Sequence, residues 1–198
     1  MLEILIATNN LGKVREIKDI LDSRQIKILN MKDFPNLPKI EEDGKTYQEN
    51  AFKKARKILE YTDKICLADD SGLEIDYLKG KPGIYSSRWG NSDEERINKV
   101  LKLLEGVPID KRKAKFVCVA VLVFPDGKTY MVKEECKGVI GFQPKGENGF
   151  GYDPIFLVPE YNKTFAELGD KIKNQISHRG CLLYTSPSPR DSWASRMP

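Results

Sequence analysis

The chain has a single histidine, His178, and only four cysteines, Cys66, Cys118, Cys136 and Cys181, in 198 residues. The cysteines show no metal-type spacing, and the first three fall inside strand-like apolar runs, where a thiol acts as a small apolar residue. A reducing cytoplasm is the simplest setting for them. No apolar run approaches the ~20 residues that cross a bilayer, and Met1 leads straight into a strand-like segment, so neither a membrane span nor a signal peptide is expected. Charge of one sign is also scarce: 33 Lys and Arg against 29 Asp and Glu leave +4. That is no polyelectrolyte signature, and no nucleic-acid partner is expected. No Pro/Gly/Ser-rich linker interrupts the chain before residue 180, which makes one α/β domain over residues 1–180 the default.

What is present centres on Ile65 to Leu73, an apolar run that ends in Asp69, Asp70, Ser71 and Gly72. A short run bounded by glycine reads as a buried strand delivering carboxylates to a site. Neighbouring carboxylates are costly to desolvate unless a metal or a proton shares the charge, and a divalent cation is the natural partner. The competing reading is a plain Asx-type turn, because Asp, Ser and Gly are common turn residues.

At the N-terminus, Leu2 to Ala7 reads as a strand that breaks at Thr8, Asn9 and Asn10, and Gly12 and Lys13 open a helix with Val14, Ile17 and Leu21 on one face. Such a turn aims free backbone N–H groups and the positive end of the helix at one spot, to which Lys13 adds a full charge. The spot suits a phosphate, although it lacks the spacing of a Walker A loop, and simple capping by Asn9 or Asn10 explains it equally well.

Further along, Ile26 to Met31 reads as a strand, and Glu41, Glu42, Asp43 and Gly44 precede a helix begun by the capping-box pair Thr46 and Glu49. Asn50 and Lys54, one turn apart, share that helix's polar face and can reach one ligand. Leu73 to Leu78 reads as a separate alternating strand. Ser92 with Glu95, and Thr164 with Glu167, open two more helices, with stripes Ile97, Val100, Leu101, Leu104 and Phe165, Leu168, Ile172, Ile176. Ala114 to Phe124 is the longest apolar strand, closed by Pro125, Asp126 and Gly127 into an antiparallel hairpin, so the sheet is mixed. The loop Gly146 to Pro154 alternates glycines with Phe150 and Tyr152, rings that either stack on a base or fill the core. Lys173, His178 and Arg179 are expected near one helix C-terminus, where cations are stabilised. From Cys181 the chain turns Ser/Pro-rich and aperiodic, and 181–198 reads as a non-native, poorly ordered tail.

Taken together, Thr8-Asn9-Asn10-Leu11-Gly12-Lys13, Glu41 to Gly44 with Glu49-Asn50-Ala51, Ala68-Asp69-Asp70-Ser71-Gly72-Leu73, Pro82 to Ser86, Phe150-Gly151-Tyr152-Asp153-Pro154 and Ser177-His178-Arg179-Gly180 resemble the inosine/xanthosine triphosphate pyrophosphatase family. The resemblance covers residues 1–180 and implies a mixed, twisted sheet flanked by helices, with two lobes around a central nucleotide cleft, in a cytoplasmic homodimer. It implies hydrolysis of deaminated purine nucleoside triphosphates to monophosphate and pyrophosphate with Mg²⁺. It makes Glu42 and Asp70 the metal-associated acids, with Asp70 also the proton acceptor. It assigns Thr8, Asn9, Asn10, Leu11, Gly12, Lys13, Ser71, Phe150, Gly151, Tyr152, Asp153, Lys173, His178 and Arg179 to the substrate. Asp69 is left in a supporting role. The alternatives are a module that binds nucleotide without turnover and a related pyrophosphatase for other modified nucleotides. After Gly180 the family continues with a Lys/Ala/Leu-rich helix, in place of which this chain has the Ser/Pro-rich tail.

Overall fold

Alternation and turn chemistry account for most of the elements. The structure, a computed structural model, describes residues 2–21 and 26–180; the expectation about the tail lies outside the described residues. Strand β1 (Leu2–Ile6) leads into helix α1 (Leu11–Leu21), and β2 (Ile26–Asn30) follows. Helix α2 (Tyr47–Thr62) precedes β3 (Ile65–Ile75), and α3 (Asp93–Leu103) precedes the long strands β4 (Lys113–Val123) and β5 (Thr129–Ile140). Short strands β6 (Phe156–Val158) and β7 (Lys163–Thr164) lead into α4 (Phe165–Ile176).

The strands form one sheet in the order β2-β1-β3-β4-β5-β6-β7. β1 runs parallel to β2 and β3, with Leu5 opposite Cys66, whereas β6 is antiparallel to β5 and β7. The sheet is therefore mixed, as the hairpin at Pro125 to Gly127 requires: Phe124 N–H donates to the Lys128 carbonyl across it at 2.9 Å. Contacts within this α/β domain cluster into two compact units. Of the described residues, one unit comprises those up to Asp70, Val119–Glu134 and Arg179 with Gly180; the other comprises Ser71–Cys118 and Glu135–His178. The boundaries fall inside β3, β4 and β5, so each of these strands begins in one unit and ends in the other.

In the first unit Ile17, Ile20 and Leu21 of α1 and Ala51, Ala55 and Ile58 of α2 are buried with Leu5, Ile6, Cys66 and Ala68. In the second, Leu73, Ile75, Val100, Leu104, Phe116, Ile140, Phe156 and Phe165 form the core.

Three expectations need correction. The competing turn at Ser71 and Gly72 is excluded: the strand read over Ile65 to Leu73 is found and runs on to Ile75, so Leu73 to Leu78 is not a separate strand but the end of β3 and a 3₁₀ turn, Asp76–Leu78. Of the expected capping boxes only that at Thr164 is reciprocal. Thr46 and Ser92 do accept from the amides of Glu49 and Glu95, but those carboxylates reach one residue further back, to the amides of Lys45 (2.7 Å) and Asn91 (2.8 Å). Finally, α4 is kinked at Gly169, whose φ of 75° is open to glycine. Past the kink Lys173 and Asn174 are buried as well, while of the expected stripe Ile172 and Ile176 are half-buried and Ile176 still packs against the core.

Candidate functional site

In the first unit, the turn after β1 is ordered by its own side chains. Thr8 Oγ1 accepts from the Asn10 amide at 3.2 Å, and Asn10 Oδ1 accepts from the Lys13 amide at 3.2 Å, which makes Asn10 the cap of α1. Thr8 and Gly12 are half-buried, and Asn9, Asn10 and Leu11 are exposed. The Lys13 ammonium leaves this turn for the Asp69 carboxylate, 2.9 Å away.

Asp69 and Asp70, adjacent at the middle of β3, are both buried but take different partners. Asp69 Oδ2 pairs with Lys13 and, at 3.0 Å, with Arg179. Burial alone would raise its pKa; Lys13, Arg179 and Lys54 together hold it well below the usual carboxylate range. Asp70 Oδ2 accepts from Asn50 Nδ2 at 3.0 Å. Here burial prevails and the pKa is raised, with Glu42 adding to the rise and Lys54, Lys13 and the Asn50 donor opposing it.

Asn50 and Lys54 do share a task. Lys54 Nζ donates to Glu42 Oε1 and to the Asp69 carbonyl, both at 2.6 Å. Burial lowers the Lys54 pKa, but Asp69, Glu42 and Asp70 outweigh it and the net shift is upward, so the ammonium is the standing cation among the three acids. Glu16, which the sequence reading passed over, is buried on α1 and pairs with Arg179. Its signal was present: a charge one turn after Lys13 and beside Ile17, on a helix face that turns inward, requires a partner.

Among the described residues, no three His, Cys, Asp or Glu side chains gather as a metal cluster. Glu42 and Asp70 nonetheless fit a hard cation. They offer only oxygen, and they repel one another strongly enough for Glu42 to contribute to the Asp70 shift. Mg²⁺ commonly takes one or two carboxylates and completes its shell with water and substrate phosphate.

In the second unit, the glycine-aromatic loop is held from several sides. The Gly151 amide donates to Asp93 Oδ2 at 2.8 Å, and the Phe150 amide donates to Asp153 Oδ2 at 2.8 Å. Tyr152 is buried, and its hydroxyl donates to the Ser86 carbonyl at 2.9 Å. Tyr152 therefore anchors the loop, while Phe150 remains half-buried. Lys173 Nζ, also buried, lies 2.5 Å from Asp153 Oδ2 and 4.6 Å from the centre of the Phe150 ring. The loop's acid and its aromatic thus share one cation. In the adjoining ring stack, His178 lies nearly parallel to Phe116, with centroids 5.0 Å apart, and Phe116 stacks in turn on Phe165.

Lys173 lies in the last turn of α4, which ends at Ile176, and His178 and Arg179 follow its extended cap Ser177, with His178 to Gly180 helical again. Each side chain has its own buried environment: Asp153 for Lys173, Phe116 for His178, and Glu16 with Asp69 for Arg179. Ser71 is half-buried within β3.

Known proteins were compared with this chain. A sequence model of the Ham1 family matches residues 4–183. A curated relative from Desulforamulus reducens, a dITP/XTP pyrophosphatase, is 48% identical over 185 residues, covering 92% of each chain. Another dITP/XTP pyrophosphatase, from Geobacter sulfurreducens, is 49% identical over 186 residues, covering 92% of this chain and 94% of its own. The solved structure of a HAM1 protein from Coxiella burnetii matches with a TM-score of 0.83 at 43% identity, covering 93% of this chain and 95% of that one.

Proposed function

The chain belongs to the Ham1 family, and from that premise we propose that it hydrolyses deaminated purine nucleoside triphosphates, dITP, ITP and XTP, to the monophosphate and pyrophosphate. The observation that carries the reading is likeness over nine-tenths of the chain to dITP/XTP pyrophosphatases. Such an enzyme removes non-standard purines from the nucleotide pool.

The residues of the first unit suit the triphosphate end. A triphosphate brings about four negative charges, and Lys13 and the start of α1 offer positive potential to match. Glu42 and Asp70 would hold Mg²⁺, which supplies charge neutralisation at the phosphates when bound. Water attacks the α-phosphorus, the bond from that phosphorus to the bridging oxygen breaks, and pyrophosphate leaves. Asp70 takes the water's proton. For this its carboxyl must be ionised against the cost of burial, and Lys54, Lys13 and Asn50 favour that form. Asp69 supports by holding Lys13 and Arg179 in place.

The residues of the second unit suit the base. Phe150, backed by Lys173, offers a ring for stacking; Gly151, Tyr152 and Asp153 set its position; and His178 adds a donor beside Arg179, with Ser71 as a further substrate contact. Inosine and xanthosine carry an oxygen at position 6 where adenine carries an amino group. Donors aimed at that oxygen are left unpaired by adenine, and a site of this kind discriminates by roughly 10⁴-fold.

No described helix is long and apolar enough to cross a membrane, and a cytoplasmic homodimer accords with the resemblance. Hydrolysis in ¹⁸O-labelled water tests the reaction. Label in the monophosphate supports attack at the α-phosphorus; label in pyrophosphate, or release of orthophosphate alone, contradicts it.

A further inference from the structure

Asn50 has no exposed surface, and both ends of its side-chain amide are engaged. Nδ2 donates to Asp70 Oδ2 at 3.0 Å, and Oδ1 accepts from the Gly44 amide at 2.8 Å. Gly44 closes the acidic segment that carries Glu42. The approach there is close: a Cβ on Gly44 would meet Asn50 Oδ1 at 2.6 Å and Glu49 Cβ at 2.9 Å. Only a hydrogen fits without something shifting.

An amide carries a donor and an acceptor together without a charge. A carboxylate at this position would lack the proton that Asp70 receives, and an apolar side chain would take this bond from buried Asp70 and half-buried Gly44 alike. An amide does not titrate, so Asn50 keeps both its donor and its acceptor at every working pH. Lys54, one turn along α2, also bridges the two segments, from Glu42 to the Asp69 carbonyl, but through a flexible four-carbon stem rather than a planar amide.

We propose that Asn50 is a positioning residue. It ties the segment bearing Glu42 to β3 at Asp70, and so sets both the rotation of the Asp70 carboxylate and its separation from Glu42. The inference rests on the reading of Glu42 and Asp70 given above. Asn50 itself touches neither water nor nucleotide in this role. Its loss misplaces reacting groups that are otherwise intact, a kind of fault that costs about 100-fold in rate for a displacement of about 1 Å.

The test compares wild type, Asn50→Asp, Gly44→Ala and the double variant, using dITP with saturating Mg²⁺ and with folding checked by circular dichroism and melting. Asn50→Asp keeps the acceptor for Gly44, removes the donor to Asp70 and adds a buried carboxylate beside it. Gly44→Ala adds no charge and displaces Asn50 from its other end. The expected result is a fall in kcat of about 100-fold in Asn50→Asp, with KM within about threefold of wild type. Gly44→Ala falls in the same direction, and the double variant falls well short of the product of the two. A folded Asn50→Asp with kcat within about threefold of wild type overturns the inference. So does a loss of activity that merely follows the unfolded fraction. Should Asn50→Asp fail to fold, an unchanged kcat in Gly44→Ala overturns it alone. A different result, an Asp70→Asn variant as active as wild type, would overturn the reading of Asp70 and this inference with it.

Discussion

Asp69 Oδ2 lies 2.9 Å from the Lys13 ammonium and 3.0 Å from the Arg179 guanidinium, so one buried oxygen holds the helix that follows β1 and the segment that follows α4. The adjacent Asp70 has the opposite electrostatic character, with its pKa raised by burial. Two neighbouring carboxylates are thereby separated into one held ionised by cations and one whose ionised form burial disfavours.

Asp69→Asn removes the shared anion and leaves two cations short of a partner. Breaking a buried pair of this kind costs about 3 kcal/mol, read as a lower urea midpoint. The wild type should also carry an acid limb that the variant lacks. Because the folded pKa of Asp69 is depressed, its contribution is present above the unfolded value of about 4 and is lost as pH falls below it. Equal stability of the two proteins at pH 7 would contradict this.

Lys173 and Asp153 form a buried pair at 2.5 Å. Lys173→Met and Asp153→Asn should each destabilise by about 3 kcal/mol, and the double variant by clearly less than the sum, because neither charge is then stranded. A double-mutant cycle in urea measures the coupling. Simple additivity would show that the pair does not act as a unit.

Tyr152 and Phe150 are two residues apart in the same loop and have different expected roles. Tyr152→Phe removes the hydroxyl that donates to Ser86 and should lower stability by about 1 kcal/mol, with KM for dITP little changed. Phe150→Ala should raise KM by about tenfold, consistent with ~1–3 kcal/mol of stacking, and leave the melting temperature nearly unchanged. The reverse pattern, with Tyr152 controlling KM, would exchange their roles.

The sequence made the scaffold legible where one residue type has one local use. Thr46, Ser92 and Thr164 cap helices as read, and the Pro125 to Gly127 turn forces the hairpin. It left two readings open where a residue type has two uses. Asp-Ser-Gly at positions 70 to 72 suits a turn as well as a strand end, and it continues β3, because backbone pairing within a buried sheet outweighs local turn preference. The candidate acids and lysines were nameable, but their partners were not. Arg179 lies 110 residues from Asp69, and Glu16 looked like an ordinary helix-surface charge. The Gly169 kink, which rotates Lys173 inward, is invisible to a periodicity argument that assumes one straight helix.

The most direct measurement is pyrophosphate release from XTP, dITP, ATP and GTP at matched concentrations, with Mg²⁺ and with a chelator, for wild type and Asp70→Asn. The expected result is rapid Mg²⁺-dependent release from XTP and dITP, slower release from ATP and GTP by orders of magnitude, and no release by Asp70→Asn, which still binds the triphosphate. Equal rates on all four nucleotides, or release that persists in Asp70→Asn, would contradict it.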